Sequence, residues 1–212
     1  MKRAIFPGLA LVLAVTLAGC WGDEHTPTTI VGQILSDSAA DGDVAFDSAS
    51  STYTISHADT AGNVIFGTDA SDVEYQAFLD FPLDGSNGGS VIPLSAVILA
   101  ADIEVSVSSV RFATTVPTRL DLVTYSSTGP TSADFILSST PPATYRTLSF
   151  LSSDQGNFVR IDVTSLMQEA QRQGLTNFQV RFLLDFVSGA SGLVTLADAG
   201  SATAPLLTVE YR

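Results

Sequence analysis

Residues 178–186 alternate with a period of two. Phe178, Val180, Phe182, Leu184 and Phe186 are large and apolar, while Gln179, Arg181 and Asp185 stand between them. A helix turns every 3.6 residues and would scatter these side chains around its axis. The run therefore suits only a strand with one buried face. Tyr75, Ala77, Leu79 and Phe81 alternate in the same way with Gln76, Phe78 and Asp80, and Leu207, Val209 and Tyr211 with Leu206, Thr208 and Glu210. Phe78, an apolar residue on the second face of its run, is expected to pack beneath a loop.

Short β-branched or alternating runs recur at 29–35, 52–56, 63–67, 96–107, 119–125, 147–151, 158–163 and 193–196, separated by Gly, Asp, Ser and Pro. This spacing predicts an all-β domain over 31–212: a jelly-roll-like, two-sheet antiparallel β-sandwich of about ten strands. Residues 36–47, 84–89 and 126–131 read as loops, and Pro141-Pro142 stiffens the approach to the strand at 147. One short helix is expected over 165–173. Ser165 and Gln168 have capping-box spacing, Leu166, Met167 and Ala170 form an apolar stripe, and Gly174 is a stop signal. The helix is expected to plug one end of the sandwich.

The first nineteen residues have a different character. Lys2 and Arg3 precede an apolar run over 4–14, too short to span a bilayer, and Leu17-Ala18-Gly19-Cys20 closes the segment before a polar stretch. Residues 1–19 read as a removable export signal, and 20–30 as a tether. The closing tetrapeptide resembles the bacterial lipobox. That resemblance implies diacylglycerol on Cys20 through a thioether, cleavage before it, and acylation of the new amino terminus by a fatty acid such as palmitate. An ordinary signal peptide with an incidental cysteine is the alternative. The single cysteine of the chain cannot form an internal disulfide, which favours lipidation. Trp21 stands where a retained inner-membrane lipoprotein carries Asp, so the expected location is the outer membrane.

The chain has 22 acidic and 9 basic residues and a formal charge of −13, which becomes two units more negative when Lys2 and Arg3 leave. Such a surface repels nucleic acid and anionic headgroups. Removal of the leader leaves enough chain for one sandwich that buries roughly 70% of its unfolded surface.

Several runs resemble the DNRLRE-domain family, which overlaps a carbohydrate-binding module family with alginate-type ligands. The likeness spans 43–212. Tyr75-Gln76-Ala77-Phe78-Leu79-Asp80-Phe81 is similar to its opening aromatic strand, and Ser95-Ala96-Val97-Ile98-Leu99 to its Ser-Ala-x-Leu strand. Asp162-Val163-Thr164, a helix and then Asn177-Phe178 resemble a further passage. Ala204-Pro205-Leu206-Leu207-Thr208-Val209-Glu210-Tyr211 resembles its C-terminal strand. The first strand departs from the family in carrying Asp80 where Arg is common. The resemblance implies a jelly-roll-like module that binds or spaces at cell surfaces.

Catalytic constellations are hard to assemble from this inventory. His25 lies in the tether and His57 at a strand end, and no serine sits in a Gly-x-Ser-x-Gly elbow. Asp80 and Asp185 are the one carboxylate pair arguable for glycoside cleavage, and salt bridges to Arg160 or Arg181 explain both without catalysis. The expectation is a non-enzyme. Among metals only calcium is arguable, through Asp41 and Asp43 with Asp59, Asp69 and Asp72; solvated turns account for the same residues. No other cofactor is expected. Sugar recognition uses an aromatic platform with planar polar groups, here Tyr53, Tyr125 or Tyr145 with Gln76, Asp80, Arg160, Gln179 and Arg181, which line one sheet if the strands pair as the resemblance implies; an ordinary wet sheet face accounts for the same polar residues. The expected role is a lipid-anchored envelope lipoprotein with a non-catalytic carbohydrate-binding sandwich. The alternative is a structural or protein-interaction spacer, and the expected partners are the membrane with a polysaccharide or an envelope protein.

Overall fold

The alternating runs are strands in the computed structural model of the protein, which describes residues 28–185, 191–200 and 202–212. The leader, Cys20, Trp21, His25 and Phe186 lie outside the described residues, as does the tether up to residue 27. Twelve strands are present among the described residues, where about ten were expected. In chain order the first six are β1 (Ile30–Leu35), β2 (Gly42–Asp47), β3 (Thr52–His57), β4 (Asn63–Thr68), β5 (Val73–Pro82) and β6 (Ile98–Arg111). The remaining six are β7 (Thr115–Val123), β8 (Thr144–Leu151), β9 (Phe158–Asp162), β10 (Asn177–Leu184), β11 (Gly192–Ala197) and β12 (Leu206–Tyr211). The fold is all-β and the pairings are antiparallel.

The pairings form one curled hydrogen-bonded sheet with two well-paired blocks. In the first, β6 takes β12 along its opening residues and β11 along its later ones, with β9 on the opposite edge. There β1 extends the sheet beyond β12, and β4 beyond β11. In the second, Ala77 and Phe78 of β5 pair with both β2 and β10, so these two flank β5. The block continues outward to β3 on one side and through β7 to β8 on the other. The blocks meet where β4 pairs with β5 through only Gly67–Tyr75 and Thr68–Glu74.

The larger apolar core draws on both blocks. The inward residues of β5 and β10, Ala77, Leu79, Phe81, Phe178, Val180 and Phe182, are fully buried there with Ile103, Val105, Val194, Leu196, Leu207 and Val209 from the first block. Phe66 of β4 stacks on Phe182 at 5.4 Å and meets Phe150 of β8 edge-on at 5.5 Å, tying the seam to the far edge.

Two expectations change. β2 falls inside the 36–47 segment read as loop. It buries residues on both faces, Val44 on one and the carboxyl-bearing Asp43 on the other, so it shows neither alternation nor an apolar run. Three α-helices are present among the described residues, where one was expected: α1 (Ala58–Ala61), α2 (Ser132–Phe135) and α3 (Thr164–Gln173). α3 buries Leu166, Met167 and Ala170 and ends at Gly174 with φ +68°, as the stripe and stop signal require, but Ser165 does not cap it. The helix starts one residue earlier. Asp162 accepts from the Thr164 amide at 2.9 Å and from its hydroxyl at 2.6 Å, and that hydroxyl receives the Ala101 amide of β6 at 3.0 Å. Gln168 instead donates to the Ile98 carbonyl at 3.2 Å. The helix therefore seals against β6.

The segment 124–143, which contains α2, covers the outer face of β5, β10 and β7. Tyr125 and Phe135 pack there with Phe78, Val44 and Val123 in a second, smaller core, so Phe78 lies beneath a loop. At Gly129, φ is +104° and an added Cβ would lie 2.6 Å from the His57 ring, so only glycine lets the cover approach β3 this closely.

Candidate functional site

Period-two geometry puts Gln76, Phe78 and Asp80 of β5 on the same outer face as Gln179 and Arg181 of β10 and Asp121 of β7. Register aligns them: Asp80 is opposite Gln179, and Arg181 lies between Phe78 and Asp121. Of the expected ligand residues, Gln76, Asp80, Gln179 and Arg181 thus share a face with Tyr145, which lies opposite Asp121, and Tyr125 closes over it. The face is not wet. Gln76, Asp80, Asp121, Gln179 and Arg181 are all buried beneath the cover.

Burial forces each polar group to find a partner. Arg181 donates through Nη2 to Asp121 Oδ2 at 2.7 Å and through Nη1 to the Asp134 carbonyl at 2.9 Å. Its guanidinium thereby pins α2 to the sheet. The other oxygen of Asp121 accepts from Arg119 Nε at 2.6 Å, and that guanidinium lies 4.4 Å from the centre of the exposed Tyr145 ring. Tyr145 is thus engaged by a cation from its own sheet. Arg181 Nε, Gln76 Oε1 and the Tyr125 hydroxyl have no protein partner.

Asp80 organises the open end of the same face. Asn177 Nδ2 donates to its two oxygens at 2.8 and 3.1 Å, and Gln179 Nε2 at 3.0 Å; the Gln179 carbonyl oxygen in turn accepts the Tyr125 amide at 2.9 Å. Desolvation raises the Asp80 carboxyl above its ordinary range, and the two amide donors oppose that shift. Both amides are held in fixed orientations on the wall of a cleft of about 210 Å³, lined also by Thr124, Ser127 and Thr176. Thr124 is shared with a second hollow of about 370 Å³ lined by Ser139, Thr140, Pro141, Pro142 and Gln173. The two hollows adjoin at Thr124 and are together called the groove. None of its described lining residues carries a charge.

The remaining candidates separate. Arg160 lies on β9, opposite Glu104 of β6, in the other block, so it does not join the proposed face. Asp185 follows β10 six residues beyond the position opposite Asp80, about 20 Å along the strand, whereas paired glycosidic carboxylates stand within about 10 Å. Asp80 and Asp185 are therefore not such a pair, and neither takes Arg181, which is committed to Asp121. His57 ends β3 and precedes α1 without capping it through its side chain.

Asp41 and Asp43 also have different surroundings. Asp41 Oδ1 accepts the Asp80 amide at 2.6 Å. Its carboxyl is raised well above the usual range by burial and then by the nearby Asp198, which is itself raised by burial. Ser36 donates to Asp198 at 3.5 Å, and Asp41 and Asp198 each keep one buried oxygen without a fixed donor. The arrangement suits two carboxyls sharing a proton. Burial lifts Asp43 to about 7, against an opposing hydrogen bond from the Ile65 backbone. Among the described residues no three acidic or imidazole groups converge as a metal cluster.

No family model matches this chain, and no curated protein matches it. The groove thus stands on its own geometry. Sequence reasoning missed Thr124, Gln173 and Asn177 as groove residues and Asp121 as the partner of Arg181. The Asp121 signal was present: Arg119, Asp121 and Val123 alternate against Leu120 and Leu122, placing an acid on the face where the neighbouring run carries Arg181. Asn177 stood just outside its run, at the end of a strand, where alternation says nothing about function.

Proposed function

We propose that the protein is an exported, lipid-anchored and non-catalytic envelope protein, tethered through Cys20 to the outer membrane, whose domain binds a neutral glycan in the groove beside Thr124. The observation that carries this reading is the pair of amides, Asn177 and Gln179, fixed by the buried Asp80 carboxylate on the wall of an uncharged, hydroxyl-lined groove. Sugar hydroxyls are recognised by donors and acceptors that lose little freedom on binding, and amides already held by a buried acid meet that condition. An uncharged groove in an acidic chain favours neutral glycans over the alginate-type uronates of the resembled family. The short β4–β5 seam between two well-paired blocks supports a two-sheet, jelly-roll-like sandwich as the scaffold.

Affinity electrophoresis of the mature protein through gels containing neutral or uronate polysaccharides tests the reading. Retardation by a neutral polymer is expected, reduced by Asn177→Ala and Gln173→Ala and unchanged by Ser153→Ala. Mobility unaffected by every neutral polymer rejects it. A protein-contacting spacer is the second reading, favoured by β3, which among the described residues pairs only with β2 and carries the exposed Tyr53 and Ile55. Crosslinking in cells that recovers a specific envelope protein through β3 supports it.

A further inference from the structure

The surface beside the start of β1 is apolar in an otherwise acidic chain. Ile30, Val31, Val91, Leu94, Val97 and Leu99 are each between 41% and 58% exposed. Pairing gathers Ile30, Val91 and Val97 around the end of β12, and Leu94 lines a hollow with Val91. Ile30 is opposite Tyr211, whose hydroxyl donates to the Val91 carbonyl at 3.3 Å, and Val97 exchanges two backbone hydrogen bonds with Arg212. Beside Leu94 a groove of about 220 Å³ runs over Leu83, Ile92 and Leu175, with the exposed Asp84 on its wall. No charged residue occurs between Asp84 and Asp102 or from Thr28 to Leu35, although the chain contains 22 acidic residues. Glu210 and Arg212 are the charges that β12 brings to the margin of this rim.

We propose that this rim is a membrane-docking face whose exposed side chains enter the interface of a zwitterionic bilayer. The proposal rests on the lipid-anchored reading, because the tether identifies the occupant. Nine residues separate Cys20 from Ile30, a reach of about 30 Å when fully extended. An acylated Cys20 keeps this end of the domain within that distance of the lipid and makes the rim the first surface to meet it. Large apolar side chains are stabilised at such an interface, with Asp84 and Glu210 at its margin, and the acidic remainder of the domain is kept out of it. Repulsion by the overall charge disfavours anionic lipid.

The test uses the acylated mature protein in phosphatidylcholine vesicles. The Cys20 sulfur is consumed in the thioether, so Leu94→Cys, Val97→Cys and Ser153→Cys each supply one thiol for an environment-sensitive fluorophore. Labels at 94 and 97 are expected to shift to the blue and to be quenched by brominated lipid, while the label at 153, on the exposed Ser152–Asp154 turn, does neither. Flotation with the vesicles reports the anchor separately. Protein that does not float overturns anchoring and docking together, whereas floating protein with labels at 94 and 97 no more quenched than at 153 overturns docking alone. A blue shift insensitive to brominated lipid, accompanied by a dimeric mass, assigns the rim to a second copy and also overturns the proposal.

Discussion

Arg181 is the largest fully buried side chain of the domain, and its charge decides how the outer face is organised. A guanidinium removed from water must recover its hydration from fixed acceptors, here Asp121 and the Asp134 carbonyl. Arg181→Ala leaves Asp121 buried with only Arg119 and detaches α2, so it is expected to cost about 3–5 kcal/mol in urea denaturation. Arg181→Met combined with Asp121→Leu removes both charges and should recover most of that loss. A single substitution costing under about 1 kcal/mol would contradict the pinning role. The sequence placed Gln76, Asp80, Gln179 and Arg181 on one face, because a strand repeats every two residues whatever lies above it. Phe78 on that face signalled a loop above it, but not that the cover extends over the polar residues or which segment supplies it. That depends on 124–143 folding back, and the anchors of that segment, Gly129 against His57 and the Asp134 carbonyl on Arg181, are long-range contacts with no local periodicity.

At the scale of elements, strands with one buried face were legible and those outside that pattern were not. β5, β10 and β12 fall where alternation put them, whereas β2, buried on both faces and carrying Asp43 and Asp47, looked like loop. The apolar stripe and glycine stop located α3, while its start followed Asp162 and Thr164 rather than the Ser165 pattern. The pairing of β4 with β11 depends on a close approach invisible to any periodicity. Gly67 has φ +109°, and an added Cβ would lie 2.1 Å from the Gly192 carbonyl oxygen. Gly156 also has a positive φ, +79°, but an added Cβ meets nothing within 4 Å. Gly156→Ala should therefore cost about 1 kcal/mol from backbone strain alone. Gly67→Ala adds displacement of β11 and should cost at least about 2 kcal/mol more. Thermal melts of the two variants compare them directly, and equal losses would show that β4 and β11 are not held together at this point.

For the whole molecule, the buried acids give stability a definite dependence on pH. Burial raises Asp43 to about 7, and it also raises Asp41, Asp80 and Asp198. Asp37 adds to the shift of Asp80 and Asp198, and Tyr125, raised by burial and by this same cluster of acids, contributes no compensating positive charge. A carboxyl whose pKa is higher in the folded state holds its proton there after the unfolded chain has released it. Folded protein thus binds more protons between the ordinary value of 3.8 and the raised value, and stability falls as pH rises through that window. For Asp43 alone the window runs from 3.8 to about 7 and corresponds to a few kcal/mol. The exposed carboxylates Asp47, Asp84 and Glu169 shift downward and act in the opposite direction, but solvent screens them. Urea midpoints should therefore rise as pH is lowered from about 8 to about 5. General repulsion in a chain of charge −13 acts in the same sense, and salt separates the two causes. Near 1 M salt the screening length is about 3 Å, which removes surface repulsion and leaves the desolvation of buried groups in place. The slope is expected to persist at high salt and to flatten in Asp43→Asn and Asp41→Asn, whose amides do not titrate. A slope that vanishes in salt, or that is unchanged by both substitutions, would place the pH dependence on the surface instead of in the buried acids.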